Sequence, residues 1–269
     1  MAGFTRAPRG RGGHGGPLAS VAVDATPVTP APAATAAERR VQLGRLRDAA
    51  RSCVRCPQLV ASRTTVVFGA GNPDADILLV GESPGRGEDR QGLPLLGASG
   101  RLVSDLLAEV GLRREDVYVT TVLKCRPPSN RDPLAEELAN CRSHLTGQVE
   151  LVRPKVVCTL GSFATKLLRE DPAGIRAVRG RPEVRTIGTR AVRLLPVLHP
   201  DAVLYQESLA ELLRADLALL PGLVASPAPP QPDPPRGEPA PTDADARRGR
   251  PGDATAPGAP AADPADPAD

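Results

Sequence analysis

Residues Asp76 to Gly97 read DILLVGESPGRGEDRQGLPLLG. The first six are a short apolar run bounded by Asp76 and Gly81, the pattern of a buried strand. The chain then enters a segment with five glycines and two prolines, among which stand Glu82, Glu88 and Asp89. Leu102, Leu106, Leu107 and Val110 follow at helical spacing, and Gly111 is placed to end that helix. The stretch therefore reads as strand, glycine-rich acidic loop, helix.

The same alternation continues downstream. VYVTTVL (Val117 to Leu123) is β-branched and strand-like. Asp132-Pro133 predicts a helix start, and Leu138, Cys141, Leu145, Val149 and Val152 continue that helix's apolar face. KVVCTLG (Lys155 to Gly161) predicts a strand followed by a helix through Leu168, and RLLPVLH (Arg193 to His199) a further strand. Leu209, Leu212, Leu213, Leu217 and Leu220 predict a closing amphipathic helix. Upstream, Ala36 to Arg51 reads as a helix with Val41, Leu46 and Ala50 on one side. Strands alternating with helices predict an α/β fold with a central, mostly parallel sheet covered on both faces. Ligands of such sheets bind beyond the carboxyl ends of the strands. GESPGRGED, KCRPPSNRD and HPDAV all fall there, so three distant loops are expected to meet in one crevice.

The ends of the chain differ in kind. Residues 1–37 are rich in Gly, Pro and Ala, and residues 222–269 in Pro, Ala, Asp and Gly. Such segments bury too little apolar surface to offset chain entropy, so both are expected to be disordered tails around one domain at 38–221. Net charge is +3 for the whole chain, but the C-terminal tail carries eight acidic and four basic residues. The domain keeps 27 basic and 22 acidic residues, a mildly basic balance compatible with a nucleic-acid partner or with an ordinary solvated surface. No apolar run approaches the ~18 residues of a membrane span. The N-terminus lacks the apolar core of a secretory signal, so the expected location is the cytoplasm. There, five cysteines are expected to be ligands or core residues rather than disulfides.

Cys53 and Cys56 form a C-x-x-C, with Cys125 and Cys141 far downstream. Four thiolates suit zinc or an iron–sulfur cluster, although Cys141, on a helix face, also reads as a core residue. Cys158, inside an apolar strand, reads as a small core side chain.

Taken together, the C-x-x-C, GESPGRGEDRQGLPLLG, KCRPPSNRDP, the later Cys141 and the His199-Pro200 pair resemble the iron–sulfur (family 4) uracil-DNA glycosylases over about Cys53 to Leu220. The resemblance implies a three-layer α/β/α sandwich and a [4Fe–4S] cluster on Cys53, Cys56, Cys125 and Cys141. It implies excision of uracil, or another deaminated base, flipped out of single- or double-stranded DNA by a monomer. It places Glu82, Asn130 and His199 as catalytic residues, with His199 beside uracil O2, where an N–H donor stabilises the leaving anion. Ser83, Glu88, Leu95 and Thr121 line the base pocket, with Glu88 acting partly through its backbone. Lys124, Arg126 and Arg131 are expected on phosphates, and Val203 and Leu204 as an apolar wedge in the minor groove.

Three positions depart from the family pattern. Leu95 stands where a phenylalanine usually stacks on the base, which forgoes ~1–3 kcal/mol of stacking. Thr121 stands where an asparagine usually reads uracil; a hydroxyl that rotates to donate or accept is expected to separate uracil from cytosine less well. Tyr205 replaces a frequent arginine. These changes predict weakened or broadened base preference, or alternatively a non-catalytic iron–sulfur DNA-binding protein. A phosphate-binding loop of a nucleotide enzyme fits poorly, because GESPGRGED lacks the Walker and GxGxxG patterns and is acidic.

Overall fold

The computed structural model describes residues 34–233. The chain divides into a unit Met1–Thr35, of which only Ala34 and Thr35 are described, and a unit Ala36–Asp269. The elements of the second unit are α1 (Ala36–Arg51), α2 (Pro57–Ser62), β1 (Ala70–Gly71), β2 (Ile77–Gly81), α3 (Arg86–Gln91), α4 (Gly97–Glu109), β3 (Val117–Thr121), α5 (Ala135–Val152), β4 (Val156–Leu160), α6 (Ser162–Arg169), α7 (Ile175–Val178), β5 (Glu183–Ile187), β6 (Arg190–Val197), α8 (Pro200–Tyr205), α9 (Ala210–Leu217) and α10 (Leu220–Ala225). Among the described residues no helix is long and apolar enough to cross a membrane.

The strands form one sheet in the order β1-β3-β2-β4-β6-β5. β3, β2, β4 and β6 run parallel, and the edge strands β1 and β5 are antiparallel. Every residue of β2, β3 and β4 is buried, which is why their sequences are mostly apolar and do not alternate, with Thr120, Thr121 and Thr159 as buried polar exceptions. Successive side chains still point to opposite faces. Leu78, Val80, Tyr118 and Val157 join Leu43, Ala50, Leu145, Val149 and Val152 of α1 and α5 in one core. Ile77, Leu79, Val119 and Cys158 join Val103, Leu107, Leu213, Leu217 and Leu220 in the other. The expected α/β/α sandwich is therefore present, with Cys158 wholly inside.

Several boundaries differ from the sequence reading. Ala50 is buried and Leu46 packs against the core as expected, but Val41 is exposed and Leu43 is buried in its place. Helix α5 begins two residues after Asp132-Pro133, because the Glu137 carboxylate accepts the Leu134 N–H (2.9 Å) and fixes the first turn there. The closing helix is broken into α9 and α10, with Leu212 exposed. The short edge strand β1 and the alternating edge strand β5 carry no long apolar run, which is why neither was foreseen. The expected tail boundary at 222 is also too early. β4 pairs with β6 only from Arg193, which leaves the preceding edge of β6 open. The Gln231 side-chain amide covers it, accepting from Ala191 N (3.3 Å) and donating to Ala191 O (3.0 Å). The remaining tail residues, 1–33 and 234–269, lie outside the described residues.

The C-terminal end of β3 is held from below by Lys124, a side chain only 1% exposed. Its Nζ donates to Thr120 Oγ1, Thr121 O and Gln148 Oε1, each at 2.6 Å. Gln148 and Thr120 in turn donate to Phe68 O, at 2.7 and 2.9 Å. Lys124 is thus a correction to the expected phosphate contact: an enclosed amine with three acceptors cannot reach solvent. Burial pushes its pKa down to about 7. A Lys124→Met variant leaves three buried acceptors without their donor and is expected to lose about 2–4 kcal/mol in denaturant unfolding. An unchanged midpoint would show that the network contributes nothing.

Candidate active site

A cleft of about 330 Å³ opens where the carboxyl ends of β2, β3, β4 and β6 meet. It is lined by Glu82 and Ser83 after β2, Thr121 at the end of β3, Asn130 from the following loop, and His199 after β6. Glu88 and Leu95 complete the set expected from the sequence. All seven residues named for catalysis and base binding therefore share one cavity.

The acidic loop divides its carboxylates between structure and site. Asp89 is buried and accepts the Thr64 N–H at 2.9 and 3.0 Å and the Thr65 N–H at 3.3 Å. Glu88 Oε1 accepts the Leu96 N–H (3.0 Å), so its side chain braces the loop across Leu95. Leu95 itself takes a left-handed φ of 54°, a conformation disfavoured for a branched side chain. Gly100 makes room for it, since a Cβ there would meet Leu95 O at 2.2 Å. Glu82 is the carboxylate left facing the cleft. Burial, reinforced by the charge of Asp132, raises its pKa above the ordinary 4.5.

His199 is the N-cap of α8, and Pro200 occupies the first helical position. The Asp201 backbone N–H donates to His199 Nδ1 at 3.1 Å. A neutral imidazole that accepts at Nδ1 carries its proton on Nε2, so the cap fixes the tautomer that donates. Burial lowers the His199 pKa below its ordinary 6.5, partly countered by Asp201 and Glu88, and the ring is neutral at pH 7. Gly161, at the end of β4, lets the ring approach: a Cβ there would lie 2.9 Å from His199 Cβ. Two residues of this corner were not singled out in the sequence. Ser99, on α4, donates to the Asp201 carboxylate and pins the first turn of α8. Asp201 was legible only as a polar residue directly after His199-Pro200; the pairing with Ser99 has no local signal.

Asn130 and Ser129 both take a φ of 55° in the turn after β3. Arg126 Nε donates to Asn130 Oδ1 at 2.7 Å, which turns the Asn130 amide nitrogen the other way. Arg131, expected on phosphates, is held in a two-pronged pair with Glu137 (2.6 and 2.9 Å) and stays partly exposed. Val203 is a second correction: at 5% exposure it belongs to the core. Leu204 (50% exposed) and Tyr205 (93%) project instead, beside a groove that leaves the cleft along Ser99, Asp201 and Leu96.

On the other side of Lys124, Cys53, Cys56, Cys125 and Cys141 line one small recess. None forms a disulfide. Their sulfurs accept N–H donors: Cys53 from Arg55 Nε (3.3 Å), Cys125 from Arg63 Nη1 (3.2 Å) and Cys141 from Lys124 N (3.3 Å). Four sulfurs on one recess, two of them facing arginine donors, suit a group that binds thiolates.

Residues 68–218 match the Uracil DNA glycosylase superfamily. The chain is 45% identical over 170 residues to the type-4 uracil-DNA glycosylase of Archaeoglobus fulgidus, covering 61% of this chain and 84% of that protein. It is 43% identical over 159 residues to the type-4 enzyme of Thermotoga maritima (59% and 81%), and 37% identical over 190 residues to that of Sulfurisphaera tokodaii (69% and 86%). The chain belongs to the uracil DNA glycosylase superfamily.

The electrostatics of the cleft are open to direct measurement. In an NMR titration the Glu82 carboxyl is expected to titrate above 4.5 and His199 below 6.5. Asp132→Asn removes the neighbouring negative charge and is expected to move the Glu82 midpoint down, toward the ordinary value. A Glu82 midpoint that ignores the substitution would remove Asp132 from the site.

Proposed function

We propose that this protein is a uracil-DNA glycosylase of base excision repair, hydrolysing the N-glycosidic bond of uracil flipped out of DNA. The observation that carries the reading is the convergence of Glu82, Asn130 and His199 on one cleft, with His199 fixed as an Nε2–H donor. Cleavage of the bond leaves a cationic, oxocarbenium-like sugar and an anionic base. Preorganised charges and donors are the main means of stabilising both. His199 donates to the O2 oxygen as negative charge grows there. Its neutral form serves, because a donor is needed where charge develops and not in the ground state. Glu82, ionised, faces the sugar and favours the cation or orients the water. The Asn130 amide, held by Arg126, presents N–H donors toward the DNA. Leu95 gives the base an apolar contact, and Leu204 with Tyr205 fills the stack that the base has left.

We further propose that Cys53, Cys56, Cys125 and Cys141 hold a [4Fe–4S] cluster. Among the described residues no group of three or more His, Cys, Asp or Glu side chains is arranged to hold a single metal ion. A tetrahedral zinc needs its sulfurs about 4 Å apart, whereas each cysteine of a four-iron cluster binds its own iron and stands farther from the others. The four cysteines on one recess, with Arg55 and Arg63 donating to two of their sulfurs, support a thiolate-bound cluster. The cluster supplies no reacting group in this reading. Its cysteines tie the segment after α1 to the exit of β3 and to α5.

Release of free uracil from a duplex carrying a single uracil tests the reading. His199→Ala and Glu82→Gln are each expected to lower kcat by about 10²–10³ while DNA binding persists. Salt-sensitive binding to uracil-containing DNA with no base release by the unaltered protein would select a non-catalytic binding protein instead. For the cluster, anaerobically purified protein is expected to carry about four irons per chain, with sulfide, and Cys141→Ser to lose both together with thermal stability. Iron-free protein of unchanged stability would refute it.

A further inference from the structure

We infer that Thr121 is a fixed hydrogen-bond acceptor in the base cleft, and that it selects the ring N–H of uracil against the bare ring nitrogen of cytosine. The inference rests on the glycosylase reading for its ligand. It runs against the expectation, drawn from the residue type, that a rotating hydroxyl separates uracil from cytosine less well.

Thr121 is the last residue of β3, is buried, and lines the cleft. Its Oγ1 donates to Leu123 O at 2.5 Å. Leu123 is fully enclosed, and a buried carbonyl is nearly always satisfied in a native structure. The parallel pairing of β2 and β3 ends at Gly81 and Thr121. Beyond it the Val122 and Leu123 N–H groups still bond to Gly81 O and Glu82 O, but the chain then turns away, and the Thr121 hydroxyl serves the Leu123 carbonyl. Swinging the hydroxyl proton into the cleft would orphan that carbonyl, at a cost equivalent to roughly a ten- to hundredfold equilibrium factor.

Two further contacts keep the side chain where it is. Lys124 Nζ grips Thr121 O at 2.6 Å, so the backbone cannot rotate without breaking the buried network. Thr121 Cγ2 packs over Gly81, 3.5 Å from where a Cβ of that residue would stand. A β-branched side chain has few χ1 options, and this contact uses one of them. A hydroxyl carries one proton and two lone pairs. With the proton committed to Leu123, the lone pairs face the cleft.

Uracil offers an N–H at N3, which this acceptor satisfies. Cytosine offers a lone pair at N3, so two acceptors would face each other. Hypoxanthine and adenine differ in the same sense at N1. Thymine and guanine carry the same ring N–H as uracil, so Thr121 does not sort them; their exclusion depends on cleft shape. The selection is therefore for the deaminated base over its amino parent.

The test measures binding rather than turnover, using duplexes with a cleavage-resistant 2′-fluoroarabino nucleotide bearing uracil, cytosine or 3-methyluracil. The unaltered protein is expected to bind uracil at least about tenfold more tightly than either of the others. Thr121→Val keeps the branched shape and removes the acceptor; it is expected to shrink both preferences to within about threefold, mainly through weaker uracil binding. Unfolding midpoints recorded in parallel identify any general loss of fold, and the ratio between bases measured on one variant is independent of its active fraction. An unaltered protein that accepts 3-methyluracil or cytosine as well as uracil overturns the inference, as does a Thr121→Val protein with full uracil preference. The two readings fail separately. Selective binding of uracil without release of base from ordinary uracil DNA sinks the glycosylase and spares Thr121. Uracil release with unchanged base ratios in Thr121→Val does the reverse.

Discussion

One enclosed ammonium group joins the two working parts of this protein. Lys124 Nζ bonds to the end of β3, where Thr120 and Thr121 form the floor of the cleft. The backbone N–H of the same residue bonds to Cys141 in the cysteine recess. Burial alone disfavours the charge, which is why its pKa falls so far. Three acceptors at 2.6 Å, each itself tied into the sheet or α5, offset that penalty. The cleft floor is consequently rigid, and a shift of the cysteines is felt within one residue of the base pocket.

The glycine-rich acidic loop shows how one short segment separates structural from chemical charge. Three carboxylates within eight residues would repel one another in a common site. Asp89 instead accepts backbone amides of the segment before β1, and Glu88 accepts an amide across Leu95. Glu82 also lines the cleft but has no such backbone partner to brace among the described residues, and burial raises its pKa above the ordinary value. His199, opposite, is kept neutral by the same cause acting on a base. The His199 donor is thus poised for charge that appears only when the glycosidic bond breaks, the condition under which fixed dipoles do most for a reaction.

The base-selecting residues show why substitution of one recognition group need not abolish recognition. An amide offers a donor and an acceptor together; a threonine hydroxyl offers one role, and its neighbours decide which. Here a carbonyl two residues along the chain takes the proton and leaves the acceptor. Base discrimination then rests on a turn in the backbone as much as on the side chain that meets the base.

Much of this molecule was legible in its sequence. The four parallel strands, the helices between them and the convergence of three loops followed from local periodicity, because strands buried on both faces must be apolar throughout and crossover helices must be amphipathic. The membership of the cleft, from Glu82 to His199, followed from motif spacing. What the sequence did not determine was which polar groups are spent on the fold. Lys124 looked like a phosphate ligand until the structure enclosed it, and the pairing of Arg131 with Glu137 had no sign in the sequence. Val203 looked like a wedge until α8 turned it into the core and left Leu204 and Tyr205 outside. Ser99 and Asp201 meet across 102 positions, and Gln231 closes a sheet edge 40 residues away. Local pattern reports how much surface a segment must bury; it carries no record of the partner that a polar side chain finds once distant segments are packed, and only the tertiary structure assigns those partners.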